Sequence, residues 1–298
     1  MSNSKEIKER MAGIRETMKI TNAMYLISSS KMKQAKQKLA ETEPFFFAMQ
    51  REISKILSYW PETGGIYFNG RRRVSEEEKK IGIVVITADK GLAGSYNHNV
   101  IKAAEELIAG PGSDRLFVLG EIGRHYFDTH YNNDESGLTI DTDFRYTVQD
   151  PNLSRARRIA GRLLELYTTG ELDEIHVIYT KMENPVKAKT ISTMLLPLQK
   201  SGFDEHQPES QRIPTFYPSA EDVLNSIVPN YFLGIIYGCL VESYYSEHNA
   251  RMMAMQNATD SAKDMLDELS MTYNRVRQAD ITQELTEVCA GAKAQQRK

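Results

Sequence analysis

Apolar and small residues recur in steps of four and three from the start of the chain: Ile7, Met11, Ile14, Met18, Thr21, Tyr25, Ser28, Met32, Ala35 and Leu39. That spacing is a coiled-coil seam, which keeps one face of a helix turned towards a partner. Between Ser4 and Glu43 there is no proline and a single glycine, Gly13. About forty helical residues reach ~60 Å. Pro44 closes the pattern, because proline cannot continue the hydrogen-bond ladder.

The far end repeats the theme. Met255, Ala258, Ala262, Met265, Leu269, Thr272, Val276, Ala279 and Gln283 again step three and four, and no Gly or Pro falls between Cys239 and Ala290. A helix from Pro229 to about Ala292 would span ~95 Å and needs a partner along its flank. The N-terminal helix is the comparably long candidate, so the termini are expected to pair as an antiparallel coiled coil. Ala, Thr, Ser and Gln fill many seam positions, which suits a slim rod. A plain spacer or a dimerisation coil carries the same pattern, although both strands already exist in one chain.

The middle of the chain changes period. IGIVVIT (81–87) is nearly continuous and β-branched, as in a strand buried on both faces. RLFVLG (115–120), EIHVIYT (174–180) and KTISTMLLPL (189–198) read as further strands. Helical stretches reach from the first loop to about Ala109 and cover 121–130 and 153–168, which indicates an α/β domain with a mostly parallel sheet. The segments 61–80 and 201–218 read as loops. The fold class is therefore α/β with long helices: an antiparallel coiled coil of both termini plus an inserted Rossmann-like α/β domain. The boundaries are 1–60 for the N-terminal helix, 61–218 for the central domain and 219–298 for the C-terminal helix.

Composition narrows the function classes. Net charge is −3, so the whole chain is not a basic nucleic-acid binder. The first forty residues, however, hold nine Lys or Arg against three Glu. A mean hydropathy of −0.47 is low for a compact globule of 298 residues and points to an elongated part. Two cysteines, Cys239 and Cys289, suit a reducing compartment rather than a disulfide scaffold. On one straight helix they would lie too far apart to bridge. No secretory signal is visible, and Glu6, Glu9 and Glu16 argue against a transit peptide. Residues 223–241 are nineteen uncharged positions, near the length of a membrane span. Pro229, Asn225, Ser226 and Asn230 within them favour a helix start buried on a neighbouring domain.

Catalytic chemistry is weakly supported. Asp89, Lys90, Gly91, Gly94 and Ser95 follow the first strand, where such folds often cradle phosphate. The spacing matches neither GxxxxGK nor GxGxxG, and a structural turn is the simpler reading. The histidines at 98, 125, 130, 176, 206 and 248 show no paired-ligand spacing. No nucleophile elbow is present, and Cys289 has no recognisable activating partner. No catalytic, cofactor-binding or metal residue is assigned.

Three segments carry a resemblance. IKERMAGIRETMKITNAMYLISSSKMKQAK (7–36), ITADKGLAGSYNHNVI (86–101) and SEHNARMMAMQNATDSAKDMLDELSMTYNRVRQADITQELTEV (246–288) resemble, in this order, signatures of the gamma subunit of F-type ATP synthases of the bacterial type. The resemblance implies the central rotor shaft, which couples ion-driven rotation of a membrane c-ring to ATP synthesis or hydrolysis on beta subunits and is itself non-catalytic. It implies three alpha and three beta subunits around the coiled coil, and an epsilon subunit and the c-ring at the central domain and lower coil. It implies no cofactor, no nucleic acid, one copy per complex, and a peripheral place on the cytoplasmic side of the cell membrane. Residue by residue it assigns beta-subunit coupling to Met24, Arg251, Arg277, Gln278, Thr282 and Glu284. The chain departs from the family in its charged end AGAKAQQRK and in Ala93, where some relatives carry cysteine. The thiol regulation of chloroplast relatives is expected to be absent. The alternative is a nucleotide-binding α/β enzyme with a coiled-coil appendage, and a third reading is a scaffold coil that binds nucleic acid through its basic first helix.

Overall fold

A computed structural model of the chain describes residues 4–69, 79–110, 112–131, 137–184, 187–203 and 215–295. In chain order the elements are α1 (Ser4–Tyr59), α2 (Gly65–Asn69), β1 (Ile81–Ile86), α3 (Tyr96–Ile108), β2 (Ser113–Leu119), α4 (Glu121–Tyr131) and β3 (Thr139–Ile140). They continue with α5 (Leu153–Thr169), β4 (Glu174–Met182), β5 (Ala188–Leu196), a 3₁₀ turn (Lys200–Phe203) and α6 (Ala220–Gln295). Two compact units divide them: Ser29–Ala250, and the residues up to Ser28 together with those from Arg251 onward. Helices α1 and α6 contribute to both.

In the unit Ser29–Ala250 the sheet order is β3-β2-β1-β4-β5. β1 pairs in parallel with β2 and β4, β2 with β3, and only β4–β5 is antiparallel. Side chains of β1 alternate between two cores, as the period of a strand requires. Ile83 and Val85 point to the core under α3 and α4, with Leu116, Val118 and Phe127. Val84 and Ile86 point to the larger core, which holds α5 and the inner turns of α1 and α6. The sheet is thus buried on both faces, which explains the unbroken apolar run of β1. Helix α5 is closed at both ends by its own sequence. The Asn152 side chain accepts from the Arg155 N–H, and Gly170 takes a left-handed conformation at φ 83°.

Two helix boundaries differ from those read in the sequence. Pro44 does not end α1, which continues to Tyr59. Beyond the proline, Ile53, Ile56 and Leu57 are buried in the large core, and packing outweighs the one lost backbone bond. Pro229 does not start α6 either, because the helix begins at Ala220. There the Ser219 hydroxyl accepts from the Asp222 N–H and donates to its carboxylate, a reciprocal cap that fixes the earlier start. Helix α6 is, among the described residues, the one helix long and apolar enough to cross a membrane. Its apolar run is core: Leu224, Val228, Phe232, Ile236, Leu240 and Val241 are buried with the sheet. Part of the segment read as loop 61–80 forms α2, whose Phe68 packs edge-on against Phe203. Residues 70–78 and 204–214 of the two loop segments, His206 among them, and the tip residues Arg297 and Lys298 lie outside the described residues.

The unit formed by the two chain ends holds the helix pair. Thr21 and Thr259 hydroxyls meet across it at 2.7 Å. Ile7, Met11, Thr21 and Ser28 are buried, and the other seam positions of α1 up to Ser28 are half-buried, as the spacing predicts. The seam of α6 is shifted by one residue in places. Ala258 and Met265 face solvent, while Thr259 and Leu266 turn inward beside Met255 and Ala262. Pairing Thr21 with Thr259 in antiparallel fashion carries Ser4 to about 276 on α6. From Arg277 onward every described side chain is exposed, including the expected seam residues Ala279 and Gln283. The described residues of α1 reach no further than this point.

Within the Ser29–Ala250 unit, α1 and α6 approach closely at Gly234. A Cβ there would meet the Phe46 ring at 2.0 Å. Helix propensity alone favours alanine by about 1 kcal/mol, but the clash reverses the sign. Gly234→Ala is expected to destabilise the chain by about 1–3 kcal/mol in denaturant unfolding. At the seam, Thr21→Val and Thr259→Val are each expected to cost up to about 1 kcal/mol, the double variant losing less than their sum.

Candidate functional site

The loop after β1 is where the fold would place a nucleotide, since strand order reverses between β1 and β4. Part of its hydrogen-bonding capacity is taken up within the chain. The Ala88 N–H donates to Asn97 Oδ1 at 2.8 Å. Asp89 puts a carboxylate at the start of α4: Oδ1 accepts from the Glu121 N–H at 3.1 Å, and Oδ2 from the Val148 N–H at 3.2 Å and the Thr147 hydroxyl. A negative side chain of this loop thus occupies the N-terminus of α4, where an anion would otherwise be favoured. Helix α6 covers the crevice itself. Ala250 packs on Ala88, Ala93 and Tyr96, and the Ser246 hydroxyl donates to the Thr180 carbonyl at 3.1 Å. Gly94 at φ 54° and Leu92 at φ 61° make this a tight structural turn with the Leu92 side chain 64% exposed.

Other chemistry is equally structural. Among the described residues no group of three or more His, Cys, Asp or Glu is arranged to hold a metal. Both cysteines are free thiols. Burial, with Glu242 nearby, pushes the Cys239 thiol up to about 12. Cys239 therefore stays protonated and unreactive at neutral pH. Cys289 is exposed. In native protein one thiol is expected to react rapidly with a disulfide reagent and the second only after unfolding; rapid reaction of both would contradict the burial of α6.

The residues assigned to coupling fall into two groups on the helix pair. Met24 is half-buried on α1, and Arg251 is buried on α6 at 5% exposure. The register set by Thr21 and Thr259 brings Met24 opposite residue 256 or so, close to Arg251. Arg277, Gln278, Thr282 and Glu284 share two exposed turns of α6 about 30 Å further along. The Thr282 hydroxyl donates back to the Gln278 carbonyl at 2.8 Å, so its polar group is partly satisfied by its own helix. The six residues do not converge on one point; they line a rod.

A second feature was not read from the sequence. Ile281, Leu285 and Val288 are 43, 61 and 70% exposed on the free end of α6. Their spacing of four and three puts them on one face. On α1, Ile20 and Ile27, one heptad apart, are similarly exposed, with Leu26 beside them. The signal was present as apolar residues out of register with the seam. These are apolar stripes on helix faces that no described residue covers.

The class defined by these features is a chain whose two ends pair as long helices around an inserted α/β domain, with the crevice of that domain closed by its own helix. Comparison with known proteins gives the class a family. The family model for ATP synthase matches residues 3–295. The ATP synthase gamma chain of Ruminiclostridium cellulolyticum is 40% identical, over 98% of this chain and 99% of that one. The sodium ion specific ATP synthase gamma chain of Acetobacterium woodii is 34% identical, over 98% of each. The chain belongs to the ATP synthase gamma-chain family. Solved structures share the fold at lower identity. A chain of the Euglena gracilis mitochondrial ATP synthase, in a structure of OSCP, F1 and c-ring, aligns with TM-score 0.64 at 15% identity, over 98% of this chain and 94% of that one. A chain of the Tetrahymena thermophila mitochondrial ATP synthase central stalk and c-ring aligns with TM-score 0.57 at 22% identity, over 80% and 99%.

Proposed function

We propose that the chain is the central rotor shaft of an F-type ATP synthase, a non-catalytic subunit that couples rotation of a membrane c-ring to the nucleotide sites of beta subunits. The observation that carries this reading is the free end of α6. From Arg277 it has no partner among the described residues, yet it is helical to Gln295 and bears an apolar stripe. An isolated helix of fewer than twenty residues is marginal in water, so this end requires a partner of its own. The bore of a ring of three alpha and three beta subunits supplies one.

The physics of the rod matches that task. A ring of identical pairs has equivalent sites, and one asymmetric rod at its centre removes the equivalence. Each angular position presents different residues to the three beta subunits, and each therefore favours a different nucleotide affinity. Met24, Arg251, Arg277, Gln278, Thr282 and Glu284 are the contacts through which we expect this to act. The basic first helix complements acidic surfaces of the ring. The central residues 61–218, between helical segments 1–60 and 219–298, face the epsilon subunit and the c-ring, with one copy of the chain per complex on the cytoplasmic side of the membrane. The filled crevice speaks against the alternative of a nucleotide-binding enzyme.

Mixing the chain with purified alpha and beta subunits tests this. A stable assembly with one copy of the chain is expected to hydrolyse ATP, whereas the chain alone is inert. Truncation after Asp280 is expected to weaken the assembly or its coupling several-fold. Failure to join the ring, or saturable micromolar nucleotide binding by the isolated chain, would contradict the rotor assignment.

A further inference from the structure

Within the Ser29–Ala250 unit, the segment between β3 and α5 is bonded at both ends to other elements. At one end Asp89, in the loop after β1, holds Thr147 and Val148 through its carboxylate. Two of its side chains are buried: Phe144 and Val148 are each 3% exposed and share the large core with Ala35 of α1. Phe144 packs edge-on against Phe117 of β2 with ring centroids 5.0 Å apart. At the other end α1 reaches across. Lys31 Nζ donates to Gln149 Oε1 at 3.3 Å, and Lys38 Nζ pairs with the Asp150 carboxylate and donates to the Pro151 carbonyl at 3.4 Å. Arg155 closes the turn from α5 by donating to the carbonyls of Gln149 and Asp150. Asp150 itself sits at φ 49°, a left-handed conformation that a non-glycine residue adopts only when its surroundings hold it.

We propose that residues 144–152 are a strap that carries load between the α/β sheet and α1, anchored by Asp89 on the sheet side and by Lys31 and Lys38 on the helix side. The inference rests on the rotor assignment above and adds to it the route by which force passes within the subunit. Helix α1 is held in the core at Ala35 as well as at Ile53, Ile56 and Leu57. The polar bonds of Lys31 and Lys38 flank Ala35, ~23–33 Å along the helix from Ile53, and add to the apolar contact there a link that resists sliding and pivoting of the outer turns. A lone exposed ion pair would contribute little to such a link. Here the pair Lys38–Asp150 is one of several bonds around a turn whose flanking residues, Val148 and Pro151, are buried.

The test uses the full chain assembled with its ring and membrane sector, wild type beside Lys31→Met/Lys38→Met and beside the charge-swapped Lys38→Glu/Asp150→Lys. Hydrogen exchange at residues 147–150 is expected to quicken at least tenfold in the double-methionine variant, with exchange in β1 and α5 unchanged. ATP hydrolysis is expected to stay within twofold, while ions pumped per ATP fall at least threefold. The charge swap is expected to recover most of both losses. Unchanged exchange would overturn the strap, because the lysines would not be holding it. Faster exchange with unchanged pumping would overturn its load-bearing role. Failure of the wild-type chain to assemble would instead sink the rotor assignment, and the exchange measurement on the chain alone would still decide whether the lysines hold the segment.

Discussion

The burial of α6 between Ala220 and Ala250 is the constraint on which the rest of the fold depends. Over that stretch the helix supplies much of the large core, from Leu224 to Tyr244, and with α5 and α1 it covers one face of the sheet. Gly234 lets α1 come close enough for the Phe46 ring to pack on the α6 backbone. The same helix closes the crevice at the strand-order reversal by packing Ala250 on Ala88, Ala93 and Tyr96. One buried helix therefore fixes the α/β domain and occupies the place where related architectures take up a nucleotide. Having done so, it continues as one member of the helix pair.

Much of this was legible in the spacing of apolar residues. The α1 seam was read position by position, because a threefold and fourfold step over many turns has no other simple explanation. The β1 strand was legible because burial on both faces removes the polar alternation. What the sequence hid were outcomes of packing against local rule. Pro44 and Pro229 looked like helix boundaries, and both lie inside helices whose tertiary contacts outweigh one missing donor. The α6 seam slipped at Ala258 and Met265 because alanine and methionine satisfy either side of a narrow register, and only the Thr21–Thr259 contact fixes which residues face inward. β3 is two residues long and has no pattern to read. The strap was invisible for another reason: its bonds join Lys31 and Lys38 to positions more than a hundred residues away.

The coupling residues were assigned by resemblance, and their placement has its own physical content. Arg251 is buried on α6. Arg277, Gln278, Thr282 and Glu284 stand on bare turns beside an apolar stripe, a combination that suits contact with changing surfaces. Polar groups that remain solvated between contacts lose little when the rod turns, whereas buried ion pairs would hold it in one place. The helix pair joins small and polar residues with a few larger apolar ones such as Ile7, Met11 and Met255, and leaves other apolar side chains exposed.

Rotation itself tests this account most directly. A probe is attached through Arg162→Cys on α5, in a chain carrying Cys289→Ser, with the alpha and beta subunits immobilised and ATP supplied. The account requires the probe to turn in one direction with three equivalent dwell positions per revolution, as the symmetry of the ring dictates. Steady ATP hydrolysis by the assembly with a stationary probe would contradict it.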